Sequence, residues 1–213
     1  MSSLDARPIL LVVSGPSGAG KGTALGLIVQ RLGVQRATTY TTRAPRTGEV
    51  DGVEYNFVSE DKFFHLFEQG VISEYTRTYS DSLYGSPSTL QSGEGPSVLA
   101  VEMDPTGFVR VRTAAARRVV GIFVTVDSED ELRNRIISRG WAADDMEKRM
   151  RVRTDQLTWA WTYDYLLVNR DRDEFSAQLG VVVQAETLKM EGARRMLGMR
   201  QAGEQISAGS GRF

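Results

Sequence analysis

Ile9-Leu10-Leu11-Val12-Val13, a short apolar run rich in β-branched residues, passes without a break into Ser14-Gly15-Pro16-Ser17-Gly18-Ala19-Gly20-Lys21-Gly22-Thr23. An amphipathic run then follows from Ala24 to Leu32. Read together, these are a buried strand, a glycine-rich loop and a helix. Glycines at 15, 18, 20 and 22 let the backbone bend so that several N–H groups face one concavity at the positive end of the helix, where an anion is favoured. Ser17 and Ala19 complete the cradle, and Lys21 adds a point charge in reach of the outer phosphates of a nucleotide. The pattern G-x-x-x-x-G-K-[ST] is met at Gly15, Gly20 and Lys21, with Gly22 next and the hydroxyl one place later, at Thr23.

Composition sets the bounds around this stretch. A chain of 213 residues with 41% hydrophobic content can build one substantial core with small inserted lobes. A net charge of −1 gives no electrostatic case for nucleic acid or an anionic membrane surface. The absence of cysteine excludes disulfides and thiolate metal sites. The first eight residues lack a signal-peptide core, and no apolar run approaches the ~20 residues of a membrane span, so a cytoplasmic protein is expected.

Working outward, Val34 to Thr42 alternates loosely and ends in a polar excursion broken by Pro45 and Gly48. Val53 to Val58 reads as a strand, and Ser59 caps a helix that stops at Gly70. Val71 to Tyr79 reads as a second strand of a small β-rich lobe. Tyr84-Gly85-Ser86-Pro87 reads as a turn, with Pro87 in the first turn of a helix to about Gln91. Val98 to Val101 has the continuous apolar character of a buried parallel strand, with Glu102 and Asp104 at its carboxyl end. A helix from Pro105 to Ala116 leads to a strand at Val119–Val126, and Ser128 caps a helix to Arg139. Met146 to about Trp161 is read as helical, Tyr165 to Val168 as a strand, and Asp171 starts the last long helix. Strands alternating with helices at these lengths predict an α/β fold with a mostly parallel core sheet flanked by helices. His65 reads as a helix-surface residue, and Trp159 and Trp161 as packing residues, in the core or against a partner.

Beyond the loop, several stretches carry a resemblance: Thr41-Thr-Arg-Ala-Pro-Arg-Thr-Gly-Glu-Val-Asp-Gly-Val-Glu-Tyr55, Tyr84-Gly-Ser86, Glu102-Met-Asp104, Ser138-Arg-Gly140 and Tyr165 to Asn169. With the loop, they resemble the guanylate kinases, P-loop nucleoside monophosphate kinases, from about Ile9 to Leu179. The Lys-Gly-Thr of the loop also resembles that of adenylate kinases. The resemblance implies a core, an acceptor-binding lobe at about 38–92 and a lid at about 138–150; by its Gly- and Ser-rich composition, 203–213 reads as a flexible tail. It implies transfer of the γ-phosphoryl group of ATP to GMP or dGMP with Mg²⁺, and the family's homodimers make a second copy one expected partner.

For the acceptor, the chemistry of the matching positions is plain: Arg43 and Arg46 suit a phosphate dianion, and the hydroxyls of Tyr55 and Tyr84 can donate to it. Guanine presents N–H donors, so its reader must accept; the resemblance gives that work to Glu74 and Asp104, with Ser86 and Thr39 as hydroxyl partners. On the ATP side it assigns Arg135, Arg139 and Arg149 to the transferring group and Asn169 to the adenine or ribose. Thr23 and Glu102 are the candidate metal contacts, Glu102 through water. Thr76 to Leu83 is about one residue longer than the resemblance leads one to expect, and Glu102 stands where an aspartate is usual. These departures, with Lys-Gly-Thr in the loop, favour one other reading, a related kinase with another acceptor, such as a second nucleotide or ribose 1,5-bisphosphate. A guanylate-kinase-like module that binds a protein partner without catalysis is a separate alternative, against which the intact Lys21 stands.

Overall fold

The computed structural model describes residues 5–78, 81–138, 143–196 and 198, without the side chains of 143–149, 152 and 196. Its core is a five-stranded parallel sheet built from β1 (Ile9–Ser14), β2 (Gln35–Arg36), β7 (Val98–Glu102), β8 (Arg118–Thr125) and β9 (Tyr165–Val168) in the order β2-β7-β1-β8-β9. All six residues of β1 are buried, as a central strand covered on both faces requires. Its odd positions Ile9, Leu11 and Val13 pack on α1 (Lys21–Leu32) and α6 (Arg172–Met196) through Leu25, Ile28, Phe175 and Leu179. Its even positions Leu10 and Val12 pack on α3 (Pro105–Ala114) through Phe108 and Val111. The period of two in the strand thus separates two helical layers. Each such side chain contributes roughly 1.5–3 kcal/mol of apolar burial.

The acceptor-side lobe is a four-stranded sheet in the order β4-β3-β6-β5, formed by β3 (Tyr40–Thr41), β4 (Asn56–Phe57), β5 (Ile72–Arg77) and β6 (Leu83–Pro87) and covered by α2 (Glu60–Glu68). Ser59 caps α2 by accepting from the Lys62 amide, and Ser128 caps α4 (Glu129–Ile137) by accepting from the Glu131 amide. His65 is exposed on α2, within 2.9 Å of Gln69, in agreement with the surface reading.

Several expectations are corrected. Residues 84–87 are a strand and not a turn: β6 pairs antiparallel with both β3 and β5. Gly85 makes this possible, since a Cβ there would lie 2.6 Å from Phe63 and 2.7 Å from Ile72. Pro87 ends that strand, and the helix after it is a single 3₁₀ turn, Ser88–Leu90. The strand expected over 53–58 is reduced to two residues, because Gly52 at φ 78° and the Val50 carbonyl, which accepts from the amides of Val53 and Glu54, hold 50–54 in turns. Helix α1 begins at Lys21 and not Ala24, so the lysine belongs to the first turn of the helix. The α4 helix stops at Ile137, and α5 spans Ala143–Thr158 before a 3₁₀ turn at Ala160–Thr162. Trp161 is 89% exposed and Trp159 40%, which removes the core reading of both. Residues 139–142 of the expected lid, Arg139 among them, and the tail from 203 lie outside the described residues, as do the side chains of 143–149, that of Arg149 included.

At the amino ends of β8 and β9 the buried Glu186 of α6 joins three elements. Its carboxylate accepts from Arg118, the Tyr165 hydroxyl and Lys189. Burial by itself would raise its pKa, but the hydrogen bonds from Lys189, Tyr165 and Arg118 outweigh that and hold it at about 2. A folded value below the unfolded 4.5 means a stabilisation present above pH 4.5 and lost as the pH falls towards 2. Glu186→Gln is therefore expected to lower stability by up to roughly 3 kcal/mol at pH 7, and by much less near pH 3. Urea unfolding of both proteins at the two pH values checks it; an equal loss at both would refute the charge assignment.

Candidate active site

The carboxyl ends of β1 and β7 open onto a cavity of about 510 Å³. Its wall joins the glycine-rich loop (Gly15, Ser17, Lys21) to the small lobe (Thr39, Arg43, Arg46, Tyr55, Glu74, Tyr84, Ser86) and to Glu102 and Asp104 after β7. Every residue expected to bind the acceptor therefore lines one space. Ligands of parallel α/β sheets sit at this end of the strands.

The loop is held in shape by its glycines. Gly15 has φ 141° and a Cβ there would lie 2.0 Å from the Val124 carbonyl oxygen of β8. Gly20 has φ 101° and a Cβ would meet the Asn169 side chain at 2.2 Å. Both positions combine a backbone conformation that L side chains rarely adopt with a close neighbour. Lys21 Nζ donates to the Pro16 carbonyl at 3.1 Å, across the mouth of the loop, and stands 3.6 Å from Glu102 Oε1. Ser14 Oγ donates to the Met103 carbonyl, which ties the ends of β1 and β7 together beneath the cavity.

Asn169 lies off the wall of this cavity, against the loop. Its side-chain amide donates to the Ala19 carbonyl at 2.9 Å, and its own carbonyl accepts from Arg135 Nη2 at 2.7 Å. Arg135 also pairs with Glu131 of its own helix, four residues earlier, and does not line the cavity. In this structure both residues brace the loop from behind. Thr23, the expected metal hydroxyl, is exposed on the first turn of α1 and also lies off the cavity wall.

At the acceptor end, Arg43 is the centre of a dense set of contacts. Its fork pairs with Glu49, Nη1 to Oε2 at 2.9 Å and Nη2 to Oε1 at 3.0 Å, while Nη1 also donates to the Ala44 carbonyl. Nε donates to the Tyr84 hydroxyl at 3.1 Å. The guanidinium lies 5.4 Å from the ring centre of Tyr55 and 5.6 Å from that of Phe57. Burial opposes the charge of Arg43, yet the hydrogen bonds to Glu49 and Tyr84 raise its pKa on balance. Glu49 also accepts from the Arg46 backbone amide at 2.8 Å, so one carboxylate orients both arginines. Because the Tyr84 oxygen accepts from Arg43, its own proton is left to donate into the cavity. The Tyr55 hydroxyl is pushed up, first by the negative charge of Glu102 and then by burial, and stays a protonated donor.

At the far end of the cavity stand acceptors. Burial raises the pKa of Glu74, the nearby Asp104 adds to this, and Ser86 and Arg110 oppose it. Its Oε2 is buried without a hydrogen-bond partner, 3.6 Å from Arg110. Asp104 caps α3 by accepting from the Gly107 amide at 2.8 Å, which keeps its second oxygen for other partners. Sequence reasoning passed over Thr76, Thr78, Ser82, Met103 and Gln156, which line the cavity, and Glu49, which stands behind it as the partner of Arg43. For Thr76 a signal was present: it follows Glu74 by two residues in β5, which puts it on the same face. Gln156 had none, since only tertiary packing brings α5 to the cavity.

A glycine-rich phosphate cradle and a tyrosine–arginine anion clamp sharing one cavity define a P-loop phosphotransferase of the nucleoside monophosphate kinase class. The family model for guanylate kinase matches residues 6–186. Guanylate kinase from Clostridioides difficile (strain 630) is 35% identical over 188 residues, covering 86% of this chain and 91% of the relative. That from Paramagnetospirillum magneticum is 33% identical over 216 residues and covers 98% of both. The crystal structure of guanylate kinase from Anaplasma phagocytophilum superposes with a TM-score of 0.68 over 94% of this chain and all of that one, at 24% identity, which bears on the fold. The chain belongs to the guanylate kinase family.

Among the described residues no helix is long and apolar enough to cross a membrane.

Proposed function

We propose that this chain transfers the γ-phosphoryl group of ATP to GMP or dGMP. The observation that carries the reading is the single cavity whose wall includes both Lys21 of the loop and Arg43, Tyr84, Glu74 and Ser86 of the lobe. Only such a shared space lets two phosphate chains meet in line. An oxygen of the acceptor phosphate bonds to the γ-phosphorus while the bond from the β,γ-bridging oxygen breaks, and ADP leaves. That acceptor oxygen is already anionic, so no general base is required and positive groups supply the acceleration.

At the other end, the buried carboxylates suit a base edge made of N–H donors, as guanine N1–H and the 2-amino group are. A donor from the base favours the charged form of Glu74, which burial disfavours.

Mg²⁺ fits this arrangement as a companion of the triphosphate. Among the described residues no group of three His, Cys, Asp or Glu side chains could hold a metal by itself, and the cavity offers the single carboxylate Glu102 beside Lys21. Bound with ATP, the cation would neutralise charge on the phosphate oxygens, with Glu102 holding its water shell.

The test is ADP release from Mg²⁺-ATP against GMP, dGMP, AMP, UMP, CMP and ribose 1,5-bisphosphate. Turnover with GMP and dGMP well above the rest is expected. Turnover confined to another acceptor, or none with any, would overturn the reading.

A further inference from the structure

One polar group in the wall of the cavity is used neither by the fold nor by the assignments above. Gln156 lies in α5, outside the core strands and the lobe, yet its residue lines the acceptor cavity. Its side-chain oxygen Oε1 is buried and has no hydrogen-bond partner. A buried acceptor left unpaired costs about 1–3 kcal/mol, so its persistence in a binding cavity points to a donor that arrives with the ligand.

Packing shows which end of the cavity it serves. Leu157 and Ala160, the neighbours of Gln156 on α5 and just after it, pack against the cluster that holds Phe108 and Val111 of α3. This turn of α5 therefore packs on the same cluster as α3 and Met103; Met103, the α3 N-cap Asp104 and Gly107 of its first turn all line the same cavity. Gln156 is thus assigned to the side of the cavity that Met103, Asp104 and Gly107 line.

We infer that Gln156 is a specificity-determining residue whose Oε1 accepts a hydrogen bond from the 2-amino group of the acceptor base. The inference rests on the reading of guanine nucleotides as the acceptor. Guanine's Watson–Crick edge offers three N–H bonds, one at N1 and two at the 2-amino group. Glu74 and Asp104 can take two of them, and Gln156 accounts for the third. Hypoxanthine, in IMP, is identical except that the 2-amino group is missing, so it leaves Gln156 Oε1 without a donor. A site built to hydrogen-bond a group rejects the analogue that lacks it.

The experiment compares GMP with IMP for the unmutated enzyme, Gln156→Leu and Gln156→Glu, with KM and kcat read separately. Gln156→Leu is expected to raise the KM for GMP about tenfold, to leave kcat within about twofold, and to leave the IMP constants unchanged. Gln156→Glu keeps an accepting oxygen and is expected to hold the GMP KM within about threefold of the original. A merely structural role would move GMP and IMP together, so equal losses on both substrates, or no loss on either, overturn the inference. Absence of GMP turnover by the unmutated enzyme overturns the acceptor reading and this inference with it, and it is visible before any variant is made.

Discussion

Lys21→Ala is expected to lower kcat for ATP-dependent phosphorylation of GMP by about 10²–10³-fold, the usual result of removing a preorganised charge that faces a developing one. The KM for GMP should stay within about threefold, because the lysine belongs to the donor side of the cavity. Its ammonium donates to the Pro16 carbonyl and stands 3.6 Å from Glu102. It is thus already aimed across the loop mouth and needs little rearrangement when phosphates arrive. Its removal acts twice, since the cation is lost and the Glu102 carboxylate then faces the triphosphate unneutralised. That carboxylate already reaches far enough to be the largest influence on the Tyr55 hydroxyl. The variant should fold normally, because position 21 opens α1 as its first residue and accepts alanine there. Steady-state kinetics with a thermal-unfolding control decide the matter: an unchanged kcat in a folded variant would remove Lys21 from the chemistry.

The fold was legible where burial and periodicity agree. β1 and β7 are continuous apolar runs, and such runs are strands only when both faces are covered, which implies flanking helices and a parallel sheet. The caps at Ser59 and Ser128 were legible because a side-chain oxygen satisfying a helix amide is a local event. The segments misread are those where distant contacts decide. Tyr84-Gly-Ser-Pro87 carries turn-forming residues, yet Phe63 and Ile72 close over Gly85 and draw the segment into the lobe's sheet. At 53–58 the alternation was real, but the carbonyl of Val50 and the left-handed Gly52 took the first half for a turn.

The site divides in the same way. Residues whose task follows from their own chemistry, such as Lys21, Arg43, Glu74 and Asp104, stand in the cavity as read from the sequence. The contacts that residues make with distant neighbours were not legible. Asn169 holds the Ala19 carbonyl, Arg135 holds the Asn169 carbonyl, and Glu49 holds Arg43. An amide, a guanidinium and a carboxylate serve as well for bracing as for binding, and sequence does not distinguish the two uses.

Glu49 bears on the second large effect, that of Arg43→Met, for which kcat/KM for GMP is expected to fall by about 10²–10³-fold. The fork of Arg43 is spent on Glu49 and the Ala44 carbonyl, and Nε on Tyr84. Of its five N–H bonds, one on Nη2 remains for the substrate among the described residues. Under the proposed function the acceptor phosphate would therefore be gripped by that N–H together with the Tyr84 proton that Arg43 has oriented, in place of a bidentate fork. Methionine keeps the stacking bulk over Tyr55 and Phe57 but frees the Tyr84 hydroxyl to rotate. It also leaves the Glu49 carboxylate, 16% exposed, beside an incoming dianion. Part of the loss is accordingly repulsion and can be separated from the rest. In the Arg43→Met background, Glu49→Gln should recover roughly tenfold in kcat/KM, whereas in the parent enzyme the same change should be harmful because it loosens Arg43 and Arg46. A sign reversal in this double-mutant cycle is the expected signature of a carboxylate that positions an arginine. Simple additivity of the two losses would show instead that Glu49 acts on the phosphate independently of Arg43.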